Sequence, residues 1–186
     1  MVMTHHAILS RKNSALVVID YQDKLVPMVW RSNEILERAR LMMQAAPIYN
    51  IPIFITEHYP RGLGKTVHEI SEVLGDARAF EKVVFSAFGS DEFTQALKQS
   101  KVETLVITGI ESHICVSQTV HDAIQRGYGV HVISDAISSR NELDHWVGIG
   151  KMKEAGAVIT SSETALYEIQ KQAGNSEFKE LLKLVK

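Results

Sequence analysis

The only cysteine in the chain, Cys115, closes the stretch TGIESHIC at the end of a short apolar run. A thiol at the start of a helix can be stabilised as a thiolate by the helix N-terminal N–H groups and by a neighbouring cation, and a thiolate is a nucleophile. The alternative is that Cys115 is a small buried hydrophobic residue, since free cysteine is among the most buried residue types. The residues that surround Cys115 have to decide between these two interpretations.

Two charged residues beside other apolar runs could serve such a thiol. Asp20 ends the run ALVVID, where a buried carboxylate is costly unless it is paired or catalytic. Lys82 precedes VVFSAFGSDEF. Taken alone, Asp20 is more commonly a turn or capping residue, and Lys82 is more commonly solvated at the end of a sheet.

Short apolar runs alternate along the chain with segments of helical periodicity. We predict six strands, at 15–20, 51–56, 82–86, 104–109, 129–135 and 157–161. We predict helices at 33–49, 91–100, 115–126, 141–155, 162–173 and 176–185. Most of the strands are apolar throughout, which is typical of parallel strands covered on both faces. The alternation indicates an α/β fold, a three-layer α/β/α sandwich with a six-stranded, mostly parallel Rossmann-like sheet.

The boundaries of these elements carry local signals. Ser32 is the predicted N-cap of the first long helix. Gly127 and Gly156 follow helices at positions that favour a left-handed residue. The segment 57–81 is predicted to be a long irregular connection, and such connections are usually functional or mobile.

Length and charge narrow the possible functions. The 186 residues predict one domain, 1–186, and a net charge of -2 makes nucleic acid an unexpected main partner. No apolar run approaches the roughly 18 residues of a membrane span. A single cysteine cannot form an intramolecular disulfide, and the N-terminus lacks a signal-peptide pattern, so we expect a cytoplasmic protein.

Ligands of parallel α/β sheets bind beyond the carboxyl ends of the strands. Reading those ends along this chain gives Asp20, the pair Glu57 and His58, the segment after Lys82, the stretch GIESHIC and Asp135. An acid, a base and a thiol therefore converge on one edge of the predicted sheet. No G-x-G-x-x-G follows the first strand, so the architecture does not imply a dinucleotide cofactor, and we predict none.

Three ordered motifs resemble those of the isochorismatase-like cysteine hydrolase superfamily, which also contains nicotinamidases and carbamoylases. These are LVVIDYQ, KVVFSAF and TGIESHICVSQTVHDAIQRGYGVHVISDA, and the resemblance extends over essentially the whole chain. The stretches TEHYPRGLG, SDAISSR and FKELLKLVK resemble the subgroup called isochorismatase domain-containing proteins.

The resemblance implies a catalytic triad of Asp20 as general base, Lys82 as the cation and Cys115 as the nucleophile. It also implies a cis peptide between Ile110 and Glu111, with the backbone N–H groups of Glu111 and Cys115 forming an oxyanion hole. The implied reaction hydrolyses a small amide, carbamoyl or related substrate through a thioester. The resemblance further implies a homo-oligomer, either a dimer or a tetramer.

The chain departs from particular members of the superfamily. Members that cleave isochorismate typically lack a nucleophile at the position of Cys115, so the thiol favours covalent hydrolysis here. Nicotinamidases bind a metal through an Asp-x-His pair and further histidines, whereas Glu57 and His58 are adjacent in this chain. We therefore predict no metal. The pair His5 and His6 is better explained as an N-terminal tail than as a metal site.

Several residues are candidates for the substrate pocket, each with an alternative. Glu57 could shape the pocket or pair with Lys82, or it could be solvated. His113 could line the pocket or cap a helix, and Phe88 could be a pocket wall or a core aromatic. The full set of candidates is Glu57, His58, Tyr59, Phe88, Ile110 and His113.

Two other functions remain open. A non-catalytic binding or scaffold protein could retain this fold, although the complete trio argues against it. A redox-sensing thiol protein would use the same cysteine, but the chain has no resolving cysteine.

The last helix carries an apolar stripe that packs either on its own domain or across a subunit interface.

Overall fold

The computed structural model describes residues 7–75 and 77–186, so His5 and His6 lie outside the described residues. Its centre is a sheet of six parallel strands in the order β3-β2-β1-β4-β5-β6. The strands are β1 Ser14–Ile19, β2 Ile53–His58, β3 Ala79–Lys82, β4 Thr104–Ile110, β5 Gly129–Ser138 and β6 Val158–Thr160. The predicted α/β class and six-stranded parallel sheet are confirmed.

Eight helices occur in the described residues. They are α1 Ser32–Ala45, α2 Pro60–Leu63, α3 His68–Leu74, α4 Asp91–Ser100, α5 Ser117–Gln125, α6 Glu142–Glu154, α7 Ser162–Gln170 and α8 Ser176–Val185. Buried residues of α1, α3, α7 and α8 form a core on one face of the sheet, and those of α4, α5 and α6 form a core on the other. None of these helices is long and apolar enough to cross a membrane.

Successive residues of each strand supply opposite cores because side chains alternate between the two faces of a sheet. On β1, Leu16 and Val18 pack beneath the α1 layer, while Val17 and Ile19 pack beneath the α4–α6 layer. Both faces are covered, which explains why the central strands are apolar throughout.

The third strand differs from the prediction. We expected a strand at 82–86 that opens with Lys82, but β3 ends at Lys82. The apolar residues that suggested a strand, Val83, Val84 and Phe85, are exposed by 78%, 48% and 47%. β3 lies at the edge of the sheet, and its sequence AFEK is too polar for apolarity to mark it. The correction moves Lys82 to the carboxyl end of a strand.

The predicted irregular connection 57–81 contains the helices α2 and α3 as well as most of β3. The α3 sequence HEISEVL is only seven residues long and buries one of them, Ile70. A helix of two turns with one buried residue gives almost no periodic signal. The prediction of a long structureless loop was therefore wrong.

Two further boundaries were also predicted wrongly. Ser32 is the first residue of α1 and not its N-cap, which is Arg31. β5 continues to Ser138, so Asp135 lies within a strand, and its carboxylate accepts the backbone N–H of Ser162 at 2.8 Å and its hydroxyl at 2.7 Å. Asp135 therefore fixes the start of α7.

The apolar stripe of α8 packs on its own domain. Leu181 is fully buried in the core beneath α1, and Val185 packs against that core. The ring of Phe178 lies 6.4 Å from that of Tyr167, measured between centroids. The intradomain alternative is the one that the structure shows.

The sheet order reverses between β1 and β4, and this is the position at which such folds open a ligand crevice. Ile19 and Gly109 are paired in the register of these two strands. Gly109 has a φ of +141°, and a Cβ there would lie 2.4 Å from the carbonyl oxygen of Ile19. A glycine is therefore required for the two strand ends to approach each other.

We expect Gly109→Ala to lower the free energy of unfolding by about 1 to 3 kcal/mol, because the methyl group meets backbone that cannot move aside. Urea denaturation measures the change. Gly129→Ala is the matched control, since its Cβ would meet the Thr104 hydroxyl at 3.3 Å. The control should change stability by less than about 1 kcal/mol. Equal losses in the two variants would contradict this account.

Candidate active site

The carboxylate of Asp20 and the ammonium of Lys82 form a buried ion pair. Nζ of Lys82 donates to Oδ2 of Asp20 at 2.6 Å, and the exposed fraction of both side chains is 0%. The other carboxylate oxygen, Oδ1, accepts the hydroxyl of Thr56 at 2.7 Å. Both oxygens are thus occupied, as a buried carboxylate requires.

The two-residue period of the strands brings these side chains to one face of the sheet. On β2, Phe54 packs beneath the α4–α6 layer, so Thr56 and His58 point to the same side. His58 is paired with Lys82 in the register of β2 and β3. Asp20 follows the last residue of β1 and has a φ of +54°, a left-handed conformation that aspartate tolerates better than most residues.

Cys115 is the third member of this cluster. It lies in a single π-helical turn, Ser112–Val116, which links β4 to α5. The Asp20 carboxylate and the Lys82 ammonium both act electrostatically on the thiol, and Cys115 is 5% exposed. The structure therefore brings together the three residues that the sequence placed at separate strand ends.

Burial raises the pKa of the Cys115 thiol to about 12. The Asp20 carboxylate raises this pKa further, while the Lys82 ammonium lowers it without offsetting the other two effects. We expected a thiolate at rest, but the structure favours a protonated thiol beside a carboxylate. A carboxylate beside a protonated thiol is chemically able to accept its proton.

The turn that carries Cys115 is anchored by side chains of the β5–α6 connection. Oε2 of Glu111 accepts the backbone N–H of Arg140 at 2.9 Å and its Nε–H at 3.0 Å. Nδ1 of His113 lies 2.8 Å from the hydroxyl oxygen of Ser139. The peptide between Ile110 and Glu111 is cis. The stretch SDAISSR, which carried part of the family resemblance, thus contacts the segment that carries Cys115.

Glu57 points away from the cluster because it alternates with Thr56 and His58 along β2. Its carboxylate accepts the Thr66 backbone N–H at 2.7 Å, the Thr66 hydroxyl at 2.8 Å and Nζ of Lys65 at 3.0 Å. Glu57 is buried but does not pair with Lys82. The alternatives of pairing with Lys82 and of a solvated carboxylate are therefore both wrong, and Glu57 instead fixes the loop before α3.

The remaining pocket candidates are dispersed. The side chain of Ile110 is fully buried in the core beneath α1, on the far side of the sheet from Cys115. Phe88 packs on Phe93 in the opposite core, with ring centroids 5.4 Å apart. Tyr59 is 52% exposed and lines a groove of about 640 Å³ along the β3 edge, to which Lys82 also contributes.

Sequence reasoning missed two residues that support the site. The Thr56 hydroxyl hydrogen-bonds to Asp20. Thr56 lies two residues before His58, so both side chains lie on the same face of the strand, and this spacing could have indicated the role of Thr56. Gln22 is fully buried and joins two strand ends. Its Oε1 accepts the His58 N–H at 2.7 Å, and its Nε2 donates to the carbonyls of His58 at 3.0 Å and Gly64 at 2.7 Å. Its place at the end of LVVIDYQ was the available signal.

The side chains that could bind a metal are also dispersed. Across 7–75 and 77–186, no three His, Cys, Asp or Glu side chains lie together in a group that could hold a metal ion.

Comparisons with known proteins find one family. The model of the isochorismatase domain matches residues 14–164. Isochorismatase family protein 1A of Dictyostelium discoideum is 34% identical over 95% of this chain and 87% of its own length. Isochorismatase domain-containing protein 2 of Danio rerio is 30% identical over 95% of this chain and 89% of its own length. A solved structure titled MAR1 ribonuclease, from Caenorhabditis elegans, has a TM-score of 0.90 and 37% identity, covering 96% of this chain and 92% of that one.

We expect the alkylation rate of Cys115 by iodoacetamide to keep rising with pH through pH 9, because the thiolate fraction grows until the raised pKa is reached. Intact mass follows the reaction at this single thiol. The same protein in urea is the control, and its rate should be half-maximal near the ordinary thiol pKa of about 8.5. A folded-state midpoint below that of the unfolded chain would show that the cation dominates and would contradict this prediction.

Proposed function

The chain belongs to the isochorismatase family of hydrolases, and we propose that it cleaves a C–N bond in a small amide or carbamoyl substrate through a covalent intermediate on Cys115. One observation carries the proposal. A buried thiol lies within electrostatic reach of a carboxylate whose charge is balanced by a buried ammonium. A scaffold protein has no need to keep such a costly group of side chains out of water.

In the first step, Sγ of Cys115 attacks the substrate carbonyl carbon while its proton moves to Asp20. The carbonyl becomes an oxyanion, which we assign to the backbone N–H groups of Glu111 and Cys115. Such donors typically contribute about 2.7 to 4 kcal/mol to lowering the barrier. Lys82 stabilises the negative charge that passes between the sulfur and Asp20.

In the second step, the tetrahedral intermediate collapses. The C–N bond breaks, the nitrogen takes the proton from Asp20, and ammonia or an amine leaves. A thioester or thiocarbamate then joins Cys115 to the substrate. Water attacks this carbon, Asp20 accepts its proton and returns it to the sulfur, and the acid product departs with the thiol restored.

We also propose that His58 binds the substrate nitrogen. His58 lies on the site face of β2, and burial and the charge of Lys82 lower the pKa of its imidazole, which keeps the ring neutral. Its Nδ1 is buried without a hydrogen-bond partner among the described residues. Its ring also interacts with the Val84 backbone. A neutral ring with a free nitrogen suits an N–H donor on the substrate.

Homo-oligomer formation stays a prediction. Leu143, Trp146 and Val147 on α6 are exposed by 74%, 54% and 50%, and they lie on one face of the helix. An exposed apolar face of this kind is typical of a surface that is covered by another chain. The cytoplasmic location likewise stays a prediction.

A substrate screen tests the reaction. We expect turnover of at least one small amide or carbamoyl compound, with a transient mass increase at Cys115. Cys115→Ala should reduce the rate by about 10³-fold or more and Asp20→Asn by about 10² to 10⁴-fold, since each removes a proton-transfer or bond-forming group. Asp135→Asn, a carboxylate outside the site, should leave the rate within about twofold.

An RNA oligonucleotide belongs in the same screen because the C. elegans structure is titled a ribonuclease. A phosphodiester has no acyl carbon for the thiol, and the chain lacks the positive charge that usually holds nucleic acid. RNA cleavage that requires Cys115, with no turnover of any amide, would overturn the proposed substrate class. Full amide turnover by Cys115→Ala would overturn the covalent mechanism.

The role of His58 has a separate test. The ring of His58 lies 5.4 Å from that of Phe85, measured between centroids. His58→Phe retains a ring at this contact but removes both nitrogens. We expect it to lower kcat/KM for the amide about tenfold, while the ester analogue, which has no N–H to donate, changes by less than about twofold. Equal losses for the two substrates would show that His58 shapes the pocket without binding the nitrogen.

A further inference from the structure

Helix α6 lies directly behind the turn that carries Cys115, and a glycine makes this contact possible. A Cβ at Gly148 would lie 2.9 Å from the carbonyl carbon and oxygen of Ser112 and 2.9 Å from the backbone nitrogen of His113. All three atoms belong to backbone. Ordinary contact begins at 3.4 Å, so any side chain at this position displaces the turn or the helix by about 0.5 Å.

A buried hydrogen bond joins the same two elements one helical turn earlier. The hydroxyl oxygen of Ser112 lies 3.0 Å from Nδ1 of His145, and both residues are buried. The rings of Trp30 and Trp146 lie 5.6 Å and 4.9 Å from the imidazole, measured between centroids. His145 therefore has little freedom to follow the turn if the turn moves.

We propose that His145 and Gly148 are positioning residues, which set the depth of the Ser112–Val116 turn and so hold Sγ of Cys115 against Asp20 and Lys82. The proposal deepens the proposed function, on which its catalytic consequence rests. Placement of the thiol can nevertheless be measured without a substrate.

The geometry of the cluster explains why a small displacement matters. The ion pair is anchored from β1, β2 and β3, whereas the thiol reaches it from a turn that follows β4. Close ionic contacts weaken within a few tenths of an ångström, so a shift of the turn weakens the contacts of the thiol with both Asp20 and Lys82. Asp20 affects the thiol pKa more than Lys82 does, so the net effect is to lower that pKa toward the value of an ordinary thiol. An effective nucleophile has to stay within a few tenths of an ångström of its reactive position.

The first experiment compares Gly148→Ala with Gly150→Ala in the full chain. A Cβ at Gly150 meets nothing within 4 Å, so this control adds the same methyl group to the same helix without touching the turn. We expect Gly148→Ala to move the pH midpoint of Cys115 alkylation by one unit or more toward that of an ordinary thiol. Gly150→Ala should leave the midpoint within 0.3 units. Equal midpoints in the two variants and the parent protein would overturn the proposal.

A second pair of variants keeps the test decisive if Gly148→Ala does not fold. Asparagine places a polar atom near the position of Nδ1, so His145→Asn should retain the bond to Ser112 and the parental alkylation midpoint. His145→Leu cannot form that bond, and its midpoint should shift in the same direction as that of Gly148→Ala. Loss of stability in both His145 variants, with an unchanged midpoint in both, would show a purely structural role and overturn the proposal.

Failure of the proposed function gives a different result. Amide turnover by Cys115→Ala would show that the thiol has no catalytic role. The alkylation midpoints of the α6 variants are measured on chains that retain Cys115, so that result does not affect them. The positioning inference and the proposed function can therefore be rejected independently.

Discussion

The Lys82 ammonium and the Asp20 carboxylate are 2.6 Å apart, and neither is exposed to solvent. Removing two such charges from water is costly, and their attraction compensates only when the geometry is good and the remaining oxygens are bonded. The carboxyl ends of three adjacent strands meet this requirement. β1 supplies the carboxylate, β2 supplies the Thr56 hydroxyl and β3 supplies the ammonium. The relative placement of these strand ends is the condition under which the cluster is stable.

In the proposed reaction, the same pair explains how a thiol with a raised pKa can react. At rest the cluster carries one negative charge on Asp20 and one positive charge on Lys82. Its net charge is therefore zero as long as Sγ keeps its proton. Loss of that proton to water would leave a net negative charge in a dry site, which burial opposes. Transfer of the proton to Asp20 leaves the net charge of the cluster at zero. The environment therefore resists ionisation by solvent while allowing internal proton transfer.

Much of the fold and the site could be predicted because the central strands carry strong signals. Five of the six strands lie close to their predicted places, and Asp20 and Cys115 follow strands whose apolarity is unambiguous. The failures occurred where a signal was absent or misleading. The β3 sequence AFEK forms a strand although it has no apolar run. The apolar sequence VVF that follows it, residues 83–85, does not form a strand. Pairing with Lys82 stayed open as one alternative for Glu57, although the alternation on β2 already places Glu57 on the face opposite to Thr56 and His58. The anchors of the turn, such as His145, come from distant segments, and only the fold relates them to Cys115.

β3 consists of four residues at the margin of the sheet, yet it supplies one of the two charges of the cluster. Edge segments of this length are among the first to open when a protein fluctuates, well before its centre unfolds. Each such opening would remove the cation and leave the Asp20 carboxylate without its countercharge. The working lifetime of the site is therefore governed by the local stability of one short strand, whereas the apolar centre of the sheet governs how long the molecule itself stays folded.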